Sequence, residues 1–120
     1  MAGADELHAG VKIMIATSDP TAEDRKGPSF GKGAAALLRG VRDLGSLNKT
    51  AKEMHMAYSK AWALMKKVEE GLGFDLLERH GARGSVLTEK GERFLACYER
   101  YEKRVEEFAE QAFAEEFAEL

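Results

Sequence analysis

The chain has 120 residues, the length of one domain or of a domain with a tail. Apolar residues make up 44% and charged residues 32%, enough to build a packed core and too apolar for a disordered chain. No apolar run approaches the ~18–20 residues that span a bilayer. Met1 to Glu6 lack a signal-peptide pattern, so a soluble, cytoplasmic protein with no membrane partner is expected.

The net charge of −3 is unevenly spread. Residues 1–31 sum to −2, residues 32–90 to +4 and residues 91–120 to −5. A basic centre between acidic ends fits either a polyanionic partner or ordinary surface charge. The single cysteine, Cys97, cannot form an internal disulfide. His8, His80 and Cys97 have no ligand spacing, so no metal site is expected.

Val11 to Thr17 is a β-branched run that reads as a strand. Ser18 to Ser29, with Asp19-Pro20 and Gly27-Pro28, reads as the turn of a hairpin whose second strand ends near Phe30. A helix is predicted over Ala34–Leu44, with Leu37, Leu38, Val41 and Leu44 at helical spacing and Gly45 as its C-cap. Ser46 or Asn48 caps a short helix running to about His55, and Met56 to Tyr58 make a tight connection. The next helix runs from about Ser59 to Leu72, with Ala61, Met65, Val68 and Leu72 on one stripe and Gly73 as its stop.

Leu76–Arg79 and Val86–Thr88 read as two short strands around the glycine-rich loop 80–85. Thr88 then caps a final helix that continues nearly to Leu120. Phe94, Tyr98, Tyr101, Val105, Phe108 and Ala112 form a heptad-type seam along it, a dimer interface in the making. Cys97, beside the seam, is expected to be buried and inert. Glu106, Glu107, Glu110, Glu115, Glu116 and Glu119 read as the wet face of that helix rather than as paired catalytic acids. No nucleophile with an adjacent base, phosphate loop or cofactor motif is present, so the chain is not read as an enzyme.

Two helices across a short turn form a helix-turn-helix. Ala51 and Ala61 supply the small residues at the crossing, and His55 falls where the turn needs a tolerated positive φ. Met54, Met56 and Leu64 are expected to fill the interior. Ser59, Lys60, Ala63, Lys66 and Lys67 point away from it, a small, polar and basic face suited to a DNA major groove. The loop with Gly81, Arg83 and Gly84 reads as a wing able to approach a phosphate chain or minor groove. The fold class is therefore mainly α with small β elements, a winged helix-turn-helix with a long C-terminal dimerisation helix.

Residues 45–79, with GARGSVLTEKGERFL at 81–95, resemble the winged helix-turn-helix of LysR-type regulators. They are closer still to the N-terminal DNA-binding domain of the molybdate-responsive repressor (ModE) family. GSLNKTAKEM, YSKAW at 58–62, LLERHGARGSVLTEKG, the strand Lys12–Thr17 and FGKG at 30–33 carry the likeness, which covers roughly 11–113. It implies a homodimeric transcription regulator of double-stranded DNA. ModE repressors continue into domains that bind molybdate or tungstate, whereas this sequence ends at Leu120. DNA binding is expected to carry over and molybdate sensing is not; no small-molecule effector or cofactor is evident in the sequence.

The expected DNA contacts are Asn48, Lys49, Thr50, Tyr58, Ser59, Lys60, Ala63, Lys66, Lys67, Arg83 and Ser85. Ser59 and Lys60 are assigned to base edges or phosphates, and Lys66 and Lys67 to phosphates. Trp62, at the edge of the buried stripe, either packs against the first helix or the wing or touches a sugar or thymine methyl. Arg79 is expected to pair with Glu78 or Glu89. The expected organisation is a flexible 1–10, a DNA-binding domain over 11–90 and a dimerisation helix over 91–120. The rival reading is an interaction module that docks a separate sensor subunit through its C-terminal helix.

Overall fold

The computed structural model describes residues 7–16, 29–81 and 84–120. The elements are β1 (Ile15–Ala16), β2 (Ser29–Phe30), α1 (Lys32–Leu44), α2 (Leu47–Glu53), α3 (Tyr58–Leu72), β3 (Leu77–Arg79), β4 (Ser85–Leu87) and α4 (Glu89–Glu116). They fall into two compact units, 14–95 and 7–13 with 96–120. No helix among the described residues is long and apolar enough to cross a membrane.

In the first unit, β1 pairs antiparallel with β2, Ile15 opposite Phe30 and Ala16 opposite Ser29. Among the described residues of the strand expected over 11–17, Ile15 and Ala16 are the ones paired, because a strand exists only where a ladder does. Thr17 and the rest of the expected turn up to Pro28 lie outside the described residues. Helix α1 starts at Lys32, two residues earlier than the glycines suggest, because Gly31 is extended and accepts the Ala35 N–H. Its Ala34, Ala35, Leu37, Leu38 and Val41 are buried, and Gly45 closes it at φ 69°.

Ser46, rather than Asn48, caps α2: its Oγ accepts the Lys49 N–H at 3.1 Å. The helix ends at Glu53, two residues before the expected end. The turn that follows is a Schellman closure. The His55 N–H donates to the Lys52 carbonyl at 3.1 Å, and the Met56 N–H reaches the Ala51 carbonyl at 2.8 Å. This closure needs a left-handed residue, and His55 is the one non-glycine with positive φ among the described residues, at 55°.

Three close approaches set the packing. A Cβ on Gly40 of α1 would run into the Thr50 side chain of α2. Gly91 in the first turns of α4 lies against the Leu76 carbonyl in the same way. Gly84, at φ 97°, leaves no room beside the Gly45 carbonyl, which accepts the Ser85 N–H at 3.0 Å. The base of the β3–β4 wing is thereby docked on the α1–α2 joint. Its register pairs Leu77 with Leu87, Glu78 with Val86 and Arg79 with Ser85, so β4 begins and ends one residue before the expected strand.

Glu69 holds α3 to the wing. It is 7% exposed, and its Oε2 accepts the N–H groups of Leu76 at 2.7 Å and Leu77 at 3.1 Å. Thr88 locks the wing's other end. Its Oγ1 donates to the Asp75 carbonyl at 2.7 Å and accepts the Gly91 N–H at 2.9 Å, capping α4 as expected. The core between these anchors contains Phe30, Leu37, Leu38, Leu47, Ala51, Ala61, Met65, Val68, Leu76 and Leu95. Met54, Met56 and Leu64, expected inside, are half-buried at its edge.

The expected dimer seam divides. Phe94 belongs to its own chain's aromatic cluster, edge-on to Phe30 at 4.8 Å and to Phe74 at 5.9 Å. Tyr98, in the second unit, is 2% exposed, with its hydroxyl 3.3 Å from both the Ile13 carbonyl and the Glu102 carboxylate. Tyr98 is thus covered within its own chain, while Phe94 stays half-buried. Helical spacing specifies a stripe but not what covers it. Cys97 is exposed, not buried, and accepts a hydrogen bond from Arg100 Nη2 at 3.3 Å. Tyr101 and Phe108 stay 50% and 72% exposed, Val105 and Ala112 half-buried.

Two outcomes follow for denaturant unfolding. Glu69→Ala leaves two buried amides without an acceptor and costs about 1–3 kcal/mol, with Glu69→Gln costing less; a loss under about 0.5 kcal/mol contradicts the anchor. His55→Gly raises stability by about 0.5–1 kcal/mol, whereas His55→Val lowers it by more than about 1 kcal/mol. Equal stability of the two variants contradicts a strained turn.

Candidate nucleic-acid interface

Burial of Ala61, Met65, Val68 and Glu69 fixes the rotation of α3. The opposite stripe is left outside, and it carries Tyr58, Ser59, Lys60, Ala63, Lys66 and Lys67, all exposed. Among the described residues no carboxylate pairs with Lys60, Lys66 or Lys67. Because the Glu69 carboxylate is spent inside, the stripe stays cationic and acid-free as far as Glu70. Such a stripe attracts a polyanion without first having to break ion pairs.

Asn48 and Lys49 are exposed on the first turn of α2, beside the start of α3. Thr50, expected with them, is not available. It is 3% exposed, faces Gly40, and donates its hydroxyl to the Ser46 carbonyl at 2.8 Å. Ser85 is also corrected: at 9% exposure its amide is committed to Gly45, so it belongs to the root of the wing rather than its outer surface. Both errors share one cause, since a polar side chain in a helix or strand of unknown rotation carries no mark of which way it faces. Arg83, the expected wing-tip contact, lies outside the described residues.

The structure adds a residue that sequence reading placed elsewhere. Arg79 does not pair with Glu78 or Glu89. Its guanidinium carbon lies 3.0 Å from the centroid of the Trp62 ring and 5.9 Å from that of Tyr58. Lys66 Nζ lies 5.0 Å from the same Trp62 ring. Cation–aromatic contacts of this kind contribute about 0.5–2 kcal/mol each. Trp62 is thus a half-buried platform for two cations, one from its own helix and one from the wing. Glu78 meets His80 at 3.5 Å, and Glu89 is taken by Arg93 at 2.8 Å. Trp62 thus packs against the wing, one of its expected partners, although no sequence spacing singled out Arg79 there.

A small cleft of about 160 Å³ opens where these elements meet. Ser46, Asn48, Tyr58 and Arg79 line it, together with the wing glycines Gly81 and Gly84. The interface therefore combines a cationic helix face, a polar helix start and a glycine-walled strand turn. That is the set of parts by which proteins position themselves on a phosphate backbone while offering side chains to a groove.

Comparison with known proteins agrees with this arrangement. No curated protein is significantly similar to the chain. A crystal structure of a CbnR_DBD–DNA complex is similar at a TM-score of 0.57 and 28% identity, over 67% of this chain and 91% of that one. Residues 33–92 match the family model for bacterial regulatory helix-turn-helix proteins of the lysR family. That span, from the first turn of α1 to the first turn of α4, is half of the sequence, and the chain belongs to this family of DNA-binding regulators.

Proposed function

We propose that the protein is a sequence-specific transcription regulator that places α3 in the major groove of double-stranded DNA and binds as a homodimer. The observation that carries this is the cationic stripe of α3, with no carboxylate partner among the described residues and exposed because the opposite stripe is buried. The DNA in the similar CbnR_DBD complex supports the same partner. On this reading Ser59, Lys60 and Ala63 meet base edges, Lys66 and Lys67 hold phosphates, and Asn48, Lys49 and Tyr58 grip the backbone beside them. Arg83 completes the contact from the wing.

Dimerisation uses what remains of the seam. Cys97, Arg100, Tyr101, Arg104, Val105 and Phe108 line one surface groove of α4, and the exposed aromatic area of Tyr101 and Phe108 favours a partner there. Two-fold pairing sets the recognition helices on an inverted repeat with half-sites about 10 bp apart or a multiple of that. Within the lysR family, the ModE-like GSLNKTAKEM and YSKAW segments point to genes tied to molybdate.

A gel-shift series tests the DNA reading. Wild type shifts duplex DNA at low salt, and Lys66→Ala with Lys67→Ala lowers the slope of log affinity against log salt by about two. No shift at low salt, or an unchanged slope in the double variant, contradicts it. Sedimentation tests the dimer: wild type runs at twice the 13.2 kDa chain mass and Phe108→Glu at once that mass. A wild-type monomer that co-purifies with a second, sensor-bearing protein favours the docking-module reading instead.

A further inference from the structure

Along β3 the side chains alternate between faces, so Leu77 and Arg79 share one. Leu77 is buried at 8% exposure and Glu78 points the other way. Arg79 is therefore the last residue of the inward face, at the point where the core ends and the Trp62 ring begins. This explains why its guanidinium carbon lies over the Trp62 ring of α3, 3.0 Å from the centroid, instead of pairing with the adjacent Glu78. A guanidinium stacked by its face keeps its N–H donors in the open plane around the rim. Among the described residues no carboxylate neutralises it.

The same residue forms part of the wall of the cleft between the start of α2, the start of α3 and the wing. Its cleft neighbours Asn48 and Tyr58 carry hydrogen-bonding side chains, and Gly81 and Gly84 present only backbone. Among the described residues the cleft thus holds one cation, uncharged polar groups and no carboxylate. Those are the requirements for seating a single oxyanion, and a planar guanidinium fork suits a phosphate better than a point charge does.

We propose that Arg79 is a DNA-phosphate ligand at the root of the wing, and that Trp62 is the positioning residue that holds its guanidinium in place. This rests on the DNA-binding reading above and names a backbone contact within it. The stack makes the contact independent of the wing tip. It also ties the wing to α3, so that a phosphate bound at Arg79 sets the orientation of the helix that carries Ser59 and Lys60.

The test is fluorescence anisotropy of the full chain on a pool of random-sequence duplexes across a sodium chloride series. Arg79→Gln lowers the slope of log affinity against log salt by about one. Trp62→Leu does the same, Trp62→Phe does not, and Trp62→Leu adds nothing to Arg79→Gln. Lys103→Gln, on the other compact unit, leaves the slope unchanged. Trp62 is the chain's single tryptophan, so its emission in free protein reads the stack directly and shifts in Arg79→Gln even if Trp62→Leu fails to fold. An unchanged slope in Arg79→Gln, alongside a lowered one in Lys67→Ala, overturns the Arg79 contact and leaves the DNA reading standing. An unchanged emission in Arg79→Gln overturns the positioning role of Trp62. Wild type that binds no duplex at low salt overturns both proposals together.

Discussion

Helix α3 can bury only one stripe, and the choice of stripe decides what the protein shows to its surroundings. Ala61, Met65 and Val68 go inward, and the closeness of the helices around them is a matter of missing atoms. Gly40 has no Cβ to strike Thr50, and Ala51 is small where α2 and α3 meet. Large residues at these points would push α2 and α3 outward and turn α3 about its axis. The lysines at 60, 66 and 67 are exposed because their helix has no other way to satisfy its apolar side. Stability and function are thus linked through one rotation rather than through shared residues.

The anchors at the two ends of α3 make that rotation definite. At its start, the left-handed His55 closes α2 so tightly that α3 begins three residues later. At its end, the Glu69 carboxylate gathers the Leu76 and Leu77 amides, which turns the chain back into β3. A buried carboxylate with two amide donors is a more directional constraint than an apolar contact, because displacement strands both donors and acceptor at once. The wing is then fixed twice more, through Ser85 on Gly45 and Thr88 on Asp75 and Leu76. Only after these ties does Arg79 come to rest over Trp62.

Local signals were legible in the sequence, and distant partners were not. Gly45, Gly73, Thr88 and His55 announce caps and turns through chemistry confined to a few neighbours, and the helices fall within one or two residues of where those signals put them. The outer face of α3 was readable for the same reason, since a period of 3.6 assigns each residue to a side. Gly40 and Gly91 gave no sign, because what they make room for lies on another element. Glu69 gave no sign either, because the amides it accepts from lie across the α3–β3 turn. Thr50 and Ser85 are polar residues turned inward, which composition cannot show. On the seam of α4, Tyr98 obeys the spacing but is covered by its own chain, which spacing alone does not show.

The most direct measurement is a backbone amide chemical-shift map of the isotopically labelled chain titrated with duplex DNA. The largest changes should fall on Tyr58 to Lys67 of α3, on Asn48 and Lys49, and on the wing around Arg79. The exposed groove of α4 at Tyr101 to Phe108 should stay silent. Shifts confined to α4, with the cationic stripe of α3 unmoved at low salt, would contradict the assignment of α3 as the surface that meets DNA.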